Sequence, residues 1–228
     1  GWLTFLQRFG FGGCLADDMG LGKTVQVLGL LEARRHAREG TSLVVVPRSL
    51  LFNWVAEAQR FTPGLRVLEH TGMTRATDHA GFGRFDLIVT TYGTMRRDIH
   101  MLREFEFDYV VLDESQAIKN ASTASAKAVR LLRARHKLAM SGTPIENHLG
   151  ELWSLFEFLN PGMLGASSAL RTAKGQAELP QTAREMLSRA VRPFILRRTK
   201  SQVAKELPER LEQTVICELD DDQRKMYD

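Results

Sequence analysis

Asp17-Asp18-Met19-Gly20-Leu21-Gly22-Lys23-Thr24 is the stretch that decides how this chain is read. It lies between a short apolar run, Cys14-Leu15-Ala16, and a segment of helical character that starts at Thr24. A strand, a glycine-rich loop and a helix in that order form the context that a phosphate-binding loop requires. Gly20 and Gly22 let the backbone curl so that successive N–H groups face one point. The start of the following helix adds partial positive charge there. In such a loop Lys23 reaches the β- and γ-phosphates of a nucleotide, and the Thr24 hydroxyl ligates Mg2+. Asp17 departs from the pattern G-x-x-x-x-G-K-[ST], in which the first position is glycine. A lone Gly-Lys-Thr would fit an ordinary glycine-rich turn equally well. The flanking elements favour a nucleotide, with Asp17, Asp18, Met19, Gly20, Leu21, Gly22, Lys23 and Thr24 as its binding segment.

A phosphate loop needs a partner carboxylate at the end of another strand, and Val110-Val111-Leu112-Asp113-Glu114 supplies one. Asp113 is expected to hold Mg2+ opposite Thr24. Glu114 is expected to orient and deprotonate the attacking water. The competing structural reading is a helix N-cap at Asp113 or Ser115, and both can hold at once. Ser141-Gly142-Thr143-Pro144 follows a further strand. Alone it is a turn with hydroxyls. Its position on the same strand-end face makes Ser141, Gly142 and Thr143 candidate sensors of the γ-phosphate, because ligands of open parallel sheets bind outside the carboxyl ends of the strands. ATP and Mg2+ are therefore the expected cofactors.

The rest of the chain supports one sizeable domain. Its 228 residues are 43% hydrophobic and 25% charged, as in ordinary globular proteins. The net charge of +4 allows a polyanionic partner without demanding one. The two cysteines, Cys14 and Cys217, each sit in an apolar run and read as reduced buried thiols rather than a disulfide. The six histidines are scattered without metal-site spacing. No apolar run approaches the roughly 20 residues that span a bilayer, so no membrane partner is expected. The chain opens on Gly1-Trp2-Leu3 without methionine, which suggests a piece of a longer protein.

Apolar strands are expected at 43–46, 65–68, 86–90, 109–112 and 137–140. Helices are expected at 49–61, 123–132 and 149–159, the first with Leu51, Trp54, Val55 and Ala58 on one face. Near-continuous apolar strands between helices indicate a parallel sheet covered on both faces. After Asn160-Pro161-Gly162 the pattern reads as short helices, without strands, up to residue 210. Residues 181–210 hold eight Arg or Lys against three Glu. That run is either a solvated helical face or a surface for nucleic acid. Residues 212–219 alternate like a strand, and 220–228 look like the start of a polar helix.

Six ordered segments, DDMGLGKT, VVVPRSLLFNW, TTYGT, DESQAIKN, SGTPIEN and LRRTK, give the chain a specific resemblance to the SWI/SNF-related ATPases of helicase superfamily two, from about Trp2 to Tyr227. The resemblance implies a RecA-like three-layer α/β lobe over 1–160, with a central, mainly parallel sheet. It implies a small helical protrusion over 161–210, then a return strand and the start of a linker over 211–228. By the same resemblance Asp17 is expected in place of glycine. Asp113 and Glu114 resemble motif II, and Ser141 to Thr143 resemble the motif that couples nucleotide state to DNA. Pro47, Arg48, Thr90, Thr91 and Tyr92 correspond to segments that hold the backbone of one DNA strand, which is sequence-neutral contact. Gln116 stands where many relatives have His, a variant common in bacterial relatives.

The function implied is a DNA-dependent ATPase that translocates on double-stranded DNA and remodels protein–DNA complexes, the target being a DNA-bound protein or RNA polymerase. The place implied is the nucleoid in a bacterium or the nucleus in a eukaryote. A second RecA-like lobe with arginine fingers is expected after Asp228 in the parent chain, and an adenine-contacting glutamine before Trp2. Two other readings remain open: an isolated nucleotide- or DNA-binding module without turnover, and a small-molecule kinase. Glu114 beside Asp113 suits water activation and disfavours the kinase.

Overall fold

The computed structural model describes residues 1–142, 149–165 and 181–203. Seven strands form one sheet, in the order β3-β4-β2-β5-β6-β1-β7. They are β1 (Gly13–Leu15), β2 (Ser42–Val46), β3 (Val67–Glu69), β4 (Leu87–Thr91), β5 (Glu106–Leu112), β6 (Arg133–Met140) and β7 (Ile195–Leu196). Every pairing is parallel. Parallel neighbours need crossovers, and here helices supply them: α2 (Lys23–His36) between β1 and β2, and α3 (Leu51–Phe61) between β2 and β3. Two short helices, α4 (Tyr92–Arg97) and α5 (Ile99–Leu102), separate β4 from β5. Helix α6 (Ala124–Val129) precedes β6, and α7 (Leu149–Leu159) follows it.

Alternation along the strands builds two apolar layers. Leu43 and Val45 of β2 face the layer that holds Met95, Val129, Leu155 and Phe158. Val44 and Val46 face the other, with Val27, Leu28, Leu31, Trp54 and Ala58 from α2 and α3. Strands buried on both faces explain the near-continuous apolar runs in the sequence. The strands and helices expected up to residue 159 all appear, and β5 and β6 extend further toward their N-termini than the apolar runs suggested. Cys14 is a free, fully buried thiol, pushed up to about 12 by burial.

Two departures concern the ends of the described chain. Helix α1 (Trp2–Phe9), closed by Gly10 in the left-handed region, was not anticipated. Its Leu6 packs with Phe156, Val191 and Phe194, and the Trp2 indole donates to the Pro193 carbonyl at 2.8 Å. The stretch after Pro161 does contain helix, α8 (Gln181–Val191) and α9 (Lys200–Val203). It also returns to the sheet as β7, where no strand was expected, because two residues are too few to show alternation. The strand pattern at 212–219 and the helix pattern at 220–228 lie outside the described residues.

The register fixes what the sheet can present. Ile195, Cys14, Ala139, Leu112, Val45 and Thr90 lie abreast across six strands. Each chemistry-bearing segment begins on this row or within three residues after it.

Candidate nucleotide site

The row of strand ends brings the segments that follow β1, β6 and β5 side by side, because those strands are neighbours. The phosphate loop and the Asp113-Glu114 pair therefore flank Ser141-Gly142.

The loop bends through two glycines in the left-handed region, Gly20 at φ 86° and Gly22 at φ 70°, the second serving as N-cap of α2. A side chain at either position would strain this backbone. Lys23 begins the helix. Its ammonium donates to the carbonyls of Asp17 at 2.6 Å and Asp18 at 3.3 Å. Lys23 and Thr24 are half-buried, whereas Met19, Gly20 and Gly22 are exposed. The loop is thus open to a ligand, with its lysine resting on its own carbonyls.

Asp17 turns away from that opening. Its carboxylate is fully buried and accepts from the Arg198 guanidinium through Nε and Nη2, from the Arg198 backbone N–H at 2.9 Å, and from Gln26 Nε2 at 3.4 Å. Gln26 Oε1 accepts from the same guanidinium at 2.8 Å. Burial pushes the Asp17 carboxyl up, but the Arg198 and Gln26 hydrogen bonds outweigh it and hold it below the usual carboxylate range. The residue that breaks the glycine pattern is therefore an anchor: its side chain pins the loop to the segment after β7. Nothing in local periodicity points to Arg198, 181 residues away. The usable signal was chemical, since a buried carboxylate calls for hydrogen-bond donors or a cation beside it.

Asp113 is buried, and its two oxygens are occupied differently. Oδ1 accepts from the Glu114 backbone N–H at 2.8 Å, and Oδ2 accepts from the Trp54 indole at 2.7 Å. Burial raises its carboxyl. The Trp54 and Glu114 N–H donors and the nearby Lys23 charge oppose that rise, and the Glu114 charge adds to it. Trp54, placed on the buried face of α3 by its spacing, was not recognised as a partner of the acidic pair. Glu114 sits in the left-handed region at φ 47°, an uncommon conformation for a residue with a side chain. Gln116 Nε2 donates to Glu114 Oε2 at 2.6 Å, so the variant position of the DESQ segment holds the candidate base.

Ser141 is buried and its N–H donates to the Leu15 carbonyl at 3.1 Å. A Cβ on Gly142 would lie 3.2 Å from Met19 Cγ, so this segment touches the phosphate loop through a position where a side chain would crowd it. Thr143 lies outside the described residues.

The residues expected to contact DNA divide. Arg48 is exposed and Pro47 half-buried. Thr90 is fully buried and its hydroxyl donates to the His70 carbonyl at 2.8 Å. Thr91 caps α4 by accepting from the Thr94 N–H at 3.2 Å. The Tyr92 hydroxyl donates to the Asp113 carbonyl at 2.8 Å. The side chains of Thr90 and Tyr92 are committed to the interior, so a phosphate meeting this segment would meet Thr91 and backbone.

Comparison with known proteins agrees with this geometry. The family model of the SNF2-related domain matches residues 1–228. YwqA of Bacillus subtilis, named as an ATP-dependent helicase/translocase, is 40% identical over 237 residues, covering 100% of this chain and 26% of its own length. The TATA-binding protein-associated factor MOT1 of Saccharomyces cerevisiae is 37% identical over 255 residues, covering 99% of this chain and 14% of MOT1. Among solved structures, the Sulfolobus solfataricus SWI2/SNF2 ATPase core in complex with dsDNA matches with TM-score 0.79 and 41% identity, over 99% of this chain and 48% of that one. The sheet with helices on both faces is the RecA-like fold of that core. The chain thus spans about a quarter of YwqA and less of MOT1.

Two outcomes follow from the buried acids. Trp54→Phe removes the donor to Asp113 Oδ2 and should cost about 1–3 kcal/mol in denaturant unfolding, the range for a buried acceptor left unsatisfied; an unchanged midpoint would show that this bond contributes nothing. Arg198→Gln should destabilise by about 2 kcal/mol at neutral pH, less than for a fully buried pair because the arginine is partly exposed. A depressed native carboxyl contributes stability above its unfolded value, near 3.8, and loses it as pH falls through the lower folded value. The stability gap between the parent chain and Arg198→Gln should therefore be full above about pH 5 and shrink on acidification below pH 3.8. A gap that does not vary with pH would remove Asp17 as the cause.

Proposed function

The chain belongs to the SNF2-related domain family, and from that premise we propose that it is the ATP-binding lobe of a DNA-dependent ATPase that translocates on double-stranded DNA and remodels protein–DNA complexes. The observation that carries this reading is the convergence of Lys23 and Thr24, Asp113 and Glu114, and Ser141 and Gly142 on neighbouring strand ends. The match to a solved core in complex with dsDNA supports the choice of polymer.

The donor set fits ATP with Mg2+. Among the described residues no group of three His, Cys, Asp or Glu could hold a metal by itself. Mg2+ typically takes one or two protein ligands, keeps waters and uses substrate phosphates for the rest, and one hydroxyl, Thr24, with one carboxylate, Asp113, matches that habit. Bound there, Mg2+ would neutralise charge developing on the transferred phosphoryl group. The loop N–H groups and the Lys23 ammonium bind the phosphates, Lys23 leaving the carbonyls of Asp17 and Asp18 to do so. Glu114, held at Oε2 by Gln116, takes the proton of the attacking water at Oε1. Ser141 and Gly142, between the two segments, register whether the terminal phosphate is present.

Arg48 and the Thr91 segment are the proposed DNA contacts, and the Tyr92 hydroxyl on the Asp113 carbonyl gives strain there a short route to the acidic pair. What a motor of this kind would displace is a protein on DNA or an RNA polymerase, and the name of MOT1 as a TATA-binding protein-associated factor is compatible with the first. Binding without turnover is the second reading, favoured for residues 1–228 taken alone: among the described cations near the loop, Arg198 is committed to Asp17. A further arginine at the γ-phosphate is worth on the order of 10³–10⁵ in rate.

Calorimetry and phosphate release test the reading together. Lys23→Ala should weaken ATP binding by about tenfold or more. Glu114→Gln should keep binding and, in the longer parent protein, abolish turnover that duplex DNA otherwise stimulates. Residues 1–228 alone should show negligible turnover. Equal ATP affinity in Lys23→Ala would remove the site, and brisk turnover by residues 1–228 would show that the catalytic cations are all within them.

A further inference from the structure

The segment that follows β7 lies along the phosphate loop and is tied to it at several points. The Ala16 N–H donates to the Leu196 carbonyl at 2.7 Å, and the Asp18 N–H to the Arg198 carbonyl at 3.0 Å. In return the Arg198 N–H donates to Asp17 Oδ1 at 2.9 Å and the Lys200 N–H to Asp18 Oδ2 at 3.0 Å. The Arg198 guanidinium closes on the buried Asp17 carboxylate. These ties fix the backbone of Lys200 against the loop. Its side chain then lies over the loop's turn: Lys200 Cε and Nζ are 3.5 and 3.6 Å from where a Cβ on Gly20 would sit. Gly20 remains exposed, with the end of this side chain beside it.

Arg198 and Lys200 of this segment have opposite fates. Arg198 is spent on Asp17. The Lys200 ammonium makes no hydrogen bond or ion pair among the described residues, although its backbone N–H is tied to Asp18 Oδ2. A charge placed at a phosphate loop without a protein partner is suited to a partner that arrives with the ligand.

We propose that Lys200 is a nucleotide-contacting residue, whose Nζ donates to phosphate oxygens of a nucleoside triphosphate seated on Gly20 to Thr24. The inference rests on the nucleotide reading of that loop. It assigns the binding surface to a residue that follows the sheet's last described strand, so the site is closed only when β7 has paired with β1. An exposed ammonium surrenders side-chain freedom to make such a bond, so the expected effect is modest, about three- to tenfold in affinity. The basic character of the stretch around it would equally suit the phosphates of duplex DNA, and the position over Gly20 favours the nucleotide.

Calorimetric titration of ATP into the chain and three variants decides. Lys200→Gln should bind ATP about three- to tenfold more weakly, while Lys200→Arg, which keeps the charge, should stay within about twofold of the parent. Melting temperatures without nucleotide should coincide, since the Lys200 side chain holds nothing in the unliganded fold. Lys23→Ala is the control for the loop itself. If Lys23→Ala loses ATP and Lys200→Gln does not, the loop reading stands and the inference about Lys200 is overturned. If neither loses ATP, both fall. Unchanged ATP affinity in Lys200→Gln, with the log–log salt slope of duplex DNA binding flattened by about 0.9, would assign the ammonium to DNA and likewise overturn the proposal.

Discussion

Parallel pairing of β1 with β6 on one side and β7 on the other is the constraint on which the site depends. A parallel register with no offset carries every strand end to one edge, and the row from Ile195 to Thr90 shows no offset across six strands. A slip by one residue would turn Val45 and Cys14 into the wrong apolar layer. It would also carry Asp113 away from Trp54 and Asp17 away from Arg198. The apolar layers thus set the positions of the acids, and Trp54 of one layer also donates directly to Asp113. Hydrophobic burial holds the register, and the register holds the chemistry.

The two buried acids at that edge show how the structure tolerates charge where the sheet ends. Isolated carboxylates in a low-dielectric interior would protonate. Asp17 is met by a guanidinium and an amide side chain, and it stays ionised. Asp113 is met only by neutral N–H donors and a more distant Lys23, and its carboxyl is raised. The difference suits their parts. Asp17 is a permanent anchor that completes its hydrogen bonds within the protein. Asp113 is left short of positive charge, an arrangement that a divalent cation would relieve.

Much of this was legible before any coordinates. The β2, β4, β5 and β6 cores, helices α3 and α7, the phosphate loop and the acidic pair follow from apolar runs, glycine placement and spacing, which are local signals. What escaped was non-local. Helix α1 owes its place to a small cluster with Val191 and Phe194, and β7 is too short to have a pattern. The Asp17–Arg198 pair joins chemically complementary residues through topology alone. The inward turns of Thr90 and Tyr92 depend on partners, the His70 and Asp113 carbonyls, that no motif names. Within the described part of the basic run, Arg198 is half-buried against Asp17 and Lys200 is exposed beside the phosphate loop.

Hydrogen exchange on the chain with and without Mg2+ and ADP tests most directly whether these segments form one nucleotide site. The account predicts that ligand slows exchange together at 18–24, at 113–116, at 141–142 and at 196–200, with no comparable change at the far ends of the strands. Protection confined to the phosphate loop, with the acidic segment and the segment after β7 unaffected, would contradict it.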